Sequence, residues 1–241
     1  MLTRSQINHI KQLSDKKYRD EVGEFVIEGE KLVREALLSR FNVKQILVHE
    51  HSKLELDSLD SSKIHFLKQS ELNSISNWQT PQPIMAVLEK NTSTVPEPNG
   101  FHFVLDKIQD PGNVGTIIRI ADWFGIESMY CSPDTADVFN SKVIQASMGS
   151  IFRVQCIVTD VLSLLSQYPT IPKYAAVLHG ISLAQVNPSS KGFLLLGNES
   201  KGLRDELIEL ADHRITIPAK GKAESLNVAV ATGIICYHLL S

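Results

Sequence analysis

The sequence predicts an α/β protein: a parallel sheet covered on both faces, preceded by a smaller α/β domain. Three observations lead there. From residue 101 onward, short apolar runs alternate with segments of helical period. Those runs are continuous in Val, Ile and Leu rather than alternating with polar residues, as expected of strands buried on both faces. Between Glu89 and Phe101, "EKNTSTVPEPNGF" gathers Asn, Thr, Ser, Pro and Gly, a linker composition. A chain of 241 residues exceeds the usual size of one domain. The boundary is expected near Pro96, with residues 1–92 before it, a linker at 93–100 and the larger domain at 101–241.

In the first domain, "FVIEGEKLVREALL" (25–38) puts Leu32, Ala36 and Leu37 on one helical stripe, and apolar runs follow at 43–49 and 83–89. Its opening segment carries Lys16, Lys17 and Arg19, candidates for contact with phosphates. The acids nearby nearly balance these bases, so a solvated helix or loop fits equally well. In the second domain the order is strand 101–106, helix 114–125, strand 128–132, helix 138–149 and strand 152–158. It continues with helix 161–168, strand 173–179, strand 193–197 and a last helix over 225–240. Ligands of parallel sheets sit beyond the carboxyl ends of the strands, so chemistry is expected in the loops after 106, 178, 197 and 218.

Composition narrows the function classes. With 43% hydrophobic residues there is material for a real core, and a net charge of −3 lacks the signature of a protein held to nucleic acid by bulk charge. Any nucleic-acid contact is therefore local. There is no apolar run of membrane-spanning length, and the polar start does not read as a secretory signal, so the expected compartment is the cytoplasm. Cys131, Cys156 and Cys236 are odd in number and widely spaced, fitting neither a disulfide framework nor a zinc site. All three read as small core hydrophobes, and no metal is expected.

The segment "GFLLLGNESKGL" (192–203) runs an apolar strand into a glycine-bounded turn. Gly197 and Gly202 have the spacing of a Walker A loop, but Leu203 and Arg204 stand where Lys and Ser or Thr are needed, and Glu199 puts a negative charge where phosphates would lie. A dinucleotide fingerprint is missing as well, which weighs against a nucleotide-dependent oxidoreductase. "DKIQDPGNVGTIIRIAD" (106–122) places Asn113 at a plausible helix N-cap, with Arg119 off the apolar stripe of Ile117, Ile118 and Ala121. A helix start, an amide and a guanidinium together suit an anion or phosphate. In "ITIPAKGKAESLNVAVATG" (215–233) a strand ends at Pro218, and Ser225 precedes a helix of small residues as its expected N-cap.

In that order, "LDKIQDPGNVGTIIRIADWFG", "LLLGNESKGL" and "ITIPAKGKAESLNVAVATG" resemble motifs 1, 2 and 3 of the SpoU (TrmH-like) RNA 2'-O-ribose methyltransferases of the SPOUT class. "FVIEGEKLVREAL" and "TPQPIMAVLE" resemble the family's N-terminal, L30e-like substrate-binding domain. The resemblance implies a parallel sheet with a C-terminal trefoil knot, a homodimer with active sites at the subunit interface, and S-adenosyl-L-methionine bound largely through backbone groups. It assigns the donor to Leu178, Gly197, Asn198, Ile217, Pro218 and Leu226, and the chemistry to Asn113, Arg119, Glu199, Ser225 and Asn227. Glu199 would orient Asn113 or Arg119.

The reaction so implied is methyl transfer to a ribose 2'-hydroxyl, with 23S rRNA expected over tRNA because of the N-terminal domain. A non-catalytic RNA-binding or ribosome-assembly factor with the same fold is the alternative. Arg119 is the family's proposed base, but a guanidinium with a pKa above ~12 is expected to stay charged and to stabilise the developing alkoxide.

Overall fold

The computed structural model describes residues 2–52, 60–91 and 97–241. The boundary expected near Pro96 lies outside the described residues. The chain divides into two compact units: Met1–Thr92 with Phe139–Ile144, and Ser93–Val138 with Gln145–Ser241.

The first unit opens with helices α1 (Arg4–Gln12) and α2 (Lys16–Val22). Thr3 and Gln6 form a reciprocal capping box on α1, Asp15 caps α2, and Gly23 closes it in the left-handed conformation at φ 68°. Strand β1 (Glu24–Glu28) and helix α3 (Glu30–Leu37) follow, so the first residues of "FVIEGEKLVREALL" are extended rather than helical. On α3 the buried stripe is Leu32, Val33 and Ala36, while Leu37 is only half-buried. Then come β2 (Val43–His49), β3 (Ile64–Leu67), α4 (Gln69–Ile75) and β4 (Ile84–Glu89). The sheet order is β1-β4-β2-β3, antiparallel except for β2 with β3. Ile10, Leu13, Leu47, Leu67, Leu72, Ile75 and Met85 form a core on one of its faces.

The larger unit's sheet begins with β5 (Phe101–Asp106), buried at every position, and helix α5 (Pro111–Trp123). Strand β6 (Ser128–Cys131), helix α6 (Ser141–Ser147), whose first four residues group with the first unit, β7 (Gln155–Val158) and α7 (Val161–Gln167) follow. The rest is β8 (Lys173–Ser182), β9 (Gly192–Gly197), α8 (Asp205–Glu209), β10 (His213–Thr216) and α9 (Val228–Leu240). The order β10-β8-β9-β5-β6-β7 is parallel throughout, as the unbroken apolar runs predict.

From β5 the chain winds outward through β6 and β7, then returns to the other side of β5. That topological switch point lies between β5 and β9, whose carboxyl ends pair Asp106 with Gly197. The end of α9 is fastened to the segment after β8, where His238 Nε2 lies 2.7 Å from the Val186 carbonyl oxygen and Ser189 N–H donates to Leu239 O at 2.8 Å. Cys131 and Cys236 are buried, and burial pushes both thiols up, Cys236 to about 12. Cys156 is only half-buried, so it is less of a core residue than expected.

Candidate active site

The loops at the switch point are held by their own side chains. Helix α5 starts one turn earlier than the motif suggests: Asp110 is its N-cap, accepting from Asn113 N–H at 2.8 Å, and Pro111 takes the first helical position. Asn113 is therefore not the cap, and its side chain is left for other work. Helix α9 likewise starts later than expected. Asn227 is its N-cap, with Oδ1 accepting from Ala229 and Val230 N–H at 2.9 and 3.3 Å, and Ser225 lies outside the helix.

Between these caps runs a short chain of side-chain bonds. Asn227 Nδ2 donates to Asn113 Oδ1 at 2.8 Å, and Asn113 Nδ2 donates to Glu199 Oε1 at 2.8 Å. Residues 113, 199 and 227, far apart in sequence, are thus bonded in series. Glu199 meets Asn113 rather than Arg119. Arg119 is exposed on α5 and makes no hydrogen bond or ion pair among the described residues.

The glycine turn after β9 has a specific cause. Asn198 and Gly202 form an isolated bridge, with N–H···O distances of 3.0 and 2.8 Å. Asn198 Oδ1 accepts from Ser200 and Lys201 N–H at 3.0 Å, and its Nδ2 donates to Lys107 O at 2.8 Å. The turn folds back so closely on Gly197 that a Cβ there would lie 2.2 Å from Leu203 N and 2.3 Å from the Gly202 carbonyl carbon. Lys107, which anchors Asn198, has φ 58°, a conformation uncommon outside glycine and frequent at functional loops.

Two residues of this framework were not singled out by sequence. Asp106, 1% exposed at the end of β5, receives Arg204 Nε at 2.9 Å, Nη2 at 2.8 Å and Arg204 N–H at 3.3 Å. The hydrogen bond from Arg204 to Asp106, outweighing desolvation, raises the guanidinium's pKa further. The pair ties the far end of the 197–204 turn to the end of β5. Its one local signal is an acid closing the mostly apolar "FHFVLD".

Leu178 is 63% exposed near the middle of β8, and its carbonyl accepts from Thr216 Oγ1 at 3.1 Å, bringing the end of β10 beside it. Ile217 is half-buried just after β10, Pro218 is exposed beside it, and Leu226 is exposed before α9.

The basic segment of the first unit departs from expectation at Arg19. That side chain is 3% exposed, and Nη1 donates to the carbonyls of Leu13 and Ser14 at 2.8 Å, closing the turn between α1 and α2. It is a structural arginine rather than a surface cation. Lys16 and Lys17 remain exposed, Lys16 with Asp20 at 3.7 Å. Among the described residues no cluster of His, Cys, Asp and Glu could hold a metal ion, and no helix is long and apolar enough to cross a membrane.

Known proteins match this architecture over its whole length. Residues 100–237 match the model of the SpoU rRNA Methylase family, and residues 4–86 that of an MRM3-like substrate binding domain. The 23S rRNA (guanosine(2553)-2'-O)-methyltransferase RlmP of Bacillus subtilis is 35% identical over 95% of this chain and 93% of its own. A solved structure from Porphyromonas gingivalis, described under the TrmH family of RNA methyltransferases, superposes with a TM-score of 0.88 at 37% identity, covering 99% of this chain and 98% of the other. The AdoMet-bound rRNA methyltransferase from Sinorhizobium meliloti gives 0.87 at 30% identity, covering 99% and 95%. With three glycine- and amide-rich turns meeting at the switch point of a parallel sheet, and a family model covering more than half of its length, the chain belongs to the SpoU rRNA methylase family.

Proposed function

We propose that this protein is an S-adenosylmethionine-dependent methyltransferase acting on a ribose 2'-hydroxyl of 23S rRNA. The observation that carries the reading is the Asn227–Asn113–Glu199 series of 2.8 Å bonds, which joins three separate loops at the carboxyl ends of β5 and β9. The B. subtilis relative named for 23S rRNA guanosine methylation supports the substrate class.

The loops fit the donor. Gly197 lets main chain approach main chain without a side chain between, and the exposed apolar Leu178 and Leu226 are available to cover an aromatic base. Asn198, Ile217 and Pro218 would present backbone groups. When bound, the donor supplies an electrophilic methyl group on a sulfonium.

The chain's own residues prepare the acceptor. Asn113, held from both sides, fixes the carboxylate of Glu199 and narrows the positions the ribose can take. Arg119 has a guanidinium unspent on any neighbour among the described residues, so it can take a phosphate beside the reacting sugar and stabilise charge growing on the 2'-oxygen. Ser225, outside the helix, is left as a hydroxyl for the sugar or phosphate.

A homodimer is part of the reading. Helix α9 is apolar on nearly all sides, and Val230, Ile234 and Tyr237 form an exposed stripe at helical spacing, with Trp123 of the neighbouring α5 also exposed. A second copy would cover such a face. The C-terminal trefoil knot belongs to the same reading, supported by the ties from α9 to Val186 and Ser189. Lys16 and Lys17 would add phosphate contacts.

Calorimetry with S-adenosylmethionine, followed by 2'-O-methylation mapping of deproteinised 23S rRNA incubated with enzyme and donor, tests the activity. One site per chain and one new 2'-O-methyl group are expected. A protein that binds no donor would be the non-catalytic RNA-binding factor instead. Sedimentation should give twice the mass of the chain, and a monomer at micromolar concentration would remove the shared-site part of the reading.

A further inference from the structure

The first unit holds a buried carboxylate that no catalytic role explains. Glu28, at the end of β1, is 6% exposed. It accepts from Ser76 Oγ at 2.8 and 3.0 Å and from Gln82 N–H at 2.8 Å. Ser76 Oγ in turn accepts from Trp78 N–H at 3.0 Å. One carboxylate therefore clamps both ends of the loop between α4 and β4. Burying a carboxylate is costly unless its bonds are well made, and these are spent on a loop rather than on the core.

What the clamp presents is chemically uniform. Asn77, Trp78, Gln79, Thr80 and Gln82 are all exposed. From Ser76 to Pro83 there is no charged residue, and Trp78 is the one large apolar side chain among amides and hydroxyls. An apolar protein-docking patch would need further apolar neighbours, and a phosphate site would need charge. A flat indole flanked by uncharged donors and acceptors matches the recognition of unpaired bases, which stack on aromatics and are read along their edges by such groups.

We propose that the 76–82 loop is a binding site for an unpaired RNA nucleotide, with Trp78 as its stacking platform and Glu28 as a positioning residue. The proposal deepens the rRNA-methyltransferase reading and rests on it for the identity of the ligand as RNA. It also moves the base-reading surface of this unit away from the basic opening segment.

The test compares wild type, Trp78→Ala and Trp78→Phe for binding to deproteinised 23S rRNA, for KM against kcat, and for calorimetric affinity for S-adenosylmethionine. Stacking of one base predicts that Trp78→Ala weakens RNA binding about 5- to 100-fold, with KM for RNA rising in step. The rate constant kcat and the donor affinity should hold, and Trp78→Phe should recover most of the loss. RNA should quench wild-type tryptophan emission more than that of Trp78→Phe. Glu28→Gln, which leaves the indole in place, should weaken RNA binding by less than Trp78→Ala.

Unchanged RNA affinity in Trp78→Ala would overturn the proposal. So would a defect confined to kcat, or one appearing only on protein-containing ribosomal particles, which would assign the indole to a protein. Should wild type bind RNA through Trp78 yet take no donor, the methyltransferase reading fails while this one holds.

Discussion

Replacing Gly197 with alanine tests whether the glycine turn is a steric necessity. The added Cβ would lie 2.2 Å from Leu203 N, 2.3 Å from Gly202 C and 2.7 Å from Gly202 O, all main-chain atoms with no flexible end to swing away. Ordinary contact is about 3.5 Å, so the 198–203 turn must retreat by roughly 1 Å. The Asn198–Gly202 bridge, with bonds of 3.0 and 2.8 Å, cannot survive that intact. Two hydrogen bonds at about 0.5–1.5 kcal/mol each put the stability loss near 1–3 kcal/mol. The larger effect should fall on activity, because Glu199 sits inside the displaced turn and a misplacement of about 1 Å costs on the order of 100-fold in rate. Gly202→Ala is the control: its φ is 72° but nothing lies within 4 Å of the new Cβ, so only the backbone preference of about 1–2 kcal/mol is lost. Urea melts, donor calorimetry and single-turnover methylation measure all three. If Gly197→Ala keeps donor affinity and rate within about threefold of wild type, the close approach is not what shapes the site.

Three further perturbations address separate parts of the molecule. Asp106→Asn leaves the partly exposed Arg204 guanidinium without its carboxylate and should cost about 2–4 kcal/mol in urea melts. Strict additivity in a double-mutant cycle with Arg204→Ala would show that the pair does not act as a unit. If Arg119 acts by charge, Arg119→Lys should keep part of the single-turnover rate with no new ionisation in its pH profile, and Arg119→Ala should lose more; a rate tracking a new ionisation in the lysine variant would identify a base. Burial raises the pKa of Glu28 above its usual 4.5, so between those two values the folded state binds more protons than the unfolded one, and stability falls as pH rises through that window. Glu28→Gln should therefore gain stability relative to wild type as pH rises past 4.5, and a difference independent of pH in urea melts would contradict the assignment.

The sheet of the larger unit was legible because strands buried on both faces must be written as apolar runs, and β5 and β9 are. Helix starts were harder. In both motif helices several polar residues compete for the cap, and only the three-dimensional turn decides that Asp110 rather than Asn113, and Asn227 rather than Ser225, reaches the free N–H groups. The first unit's β3 and α4 went unread, since β3 is a four-residue strand with one fully buried position, and α4 is a polar helix with two. Arg19 misled because charge in sequence says nothing of burial; the two carbonyls that hold it lie five and six residues away across a turn. Asp106 and Arg204 meet across 98 residues, and no local pattern announces that.

The direction of the bonds through the site follows from one helix cap. Asn227 Oδ1 is occupied by Ala229 and Val230 N–H, so its Nδ2 is the group left to face Asn113. Asn113 must then turn its oxygen to Asn227 and its Nδ2 to Glu199, a carboxylate that can only accept. Asn227→Asp separates cap from relay. Aspartate caps a helix as well as asparagine and suits the positive end of its dipole, so α9 should keep its stability within about 0.5 kcal/mol. It brings no N–H to Asn113, however. Whichever way the Asn113 amide then turns, its oxygen faces a carboxylate, either the one introduced at the cap or that of Glu199, and one bond in the series is lost. The expected outcome is a rate about 10- to 100-fold below wild type with an unchanged urea midpoint. A loss of stability matching the loss of rate would mean that Asn227 serves only the helix, and an unchanged rate would mean that the orientation of Asn113 does not matter to the chemistry.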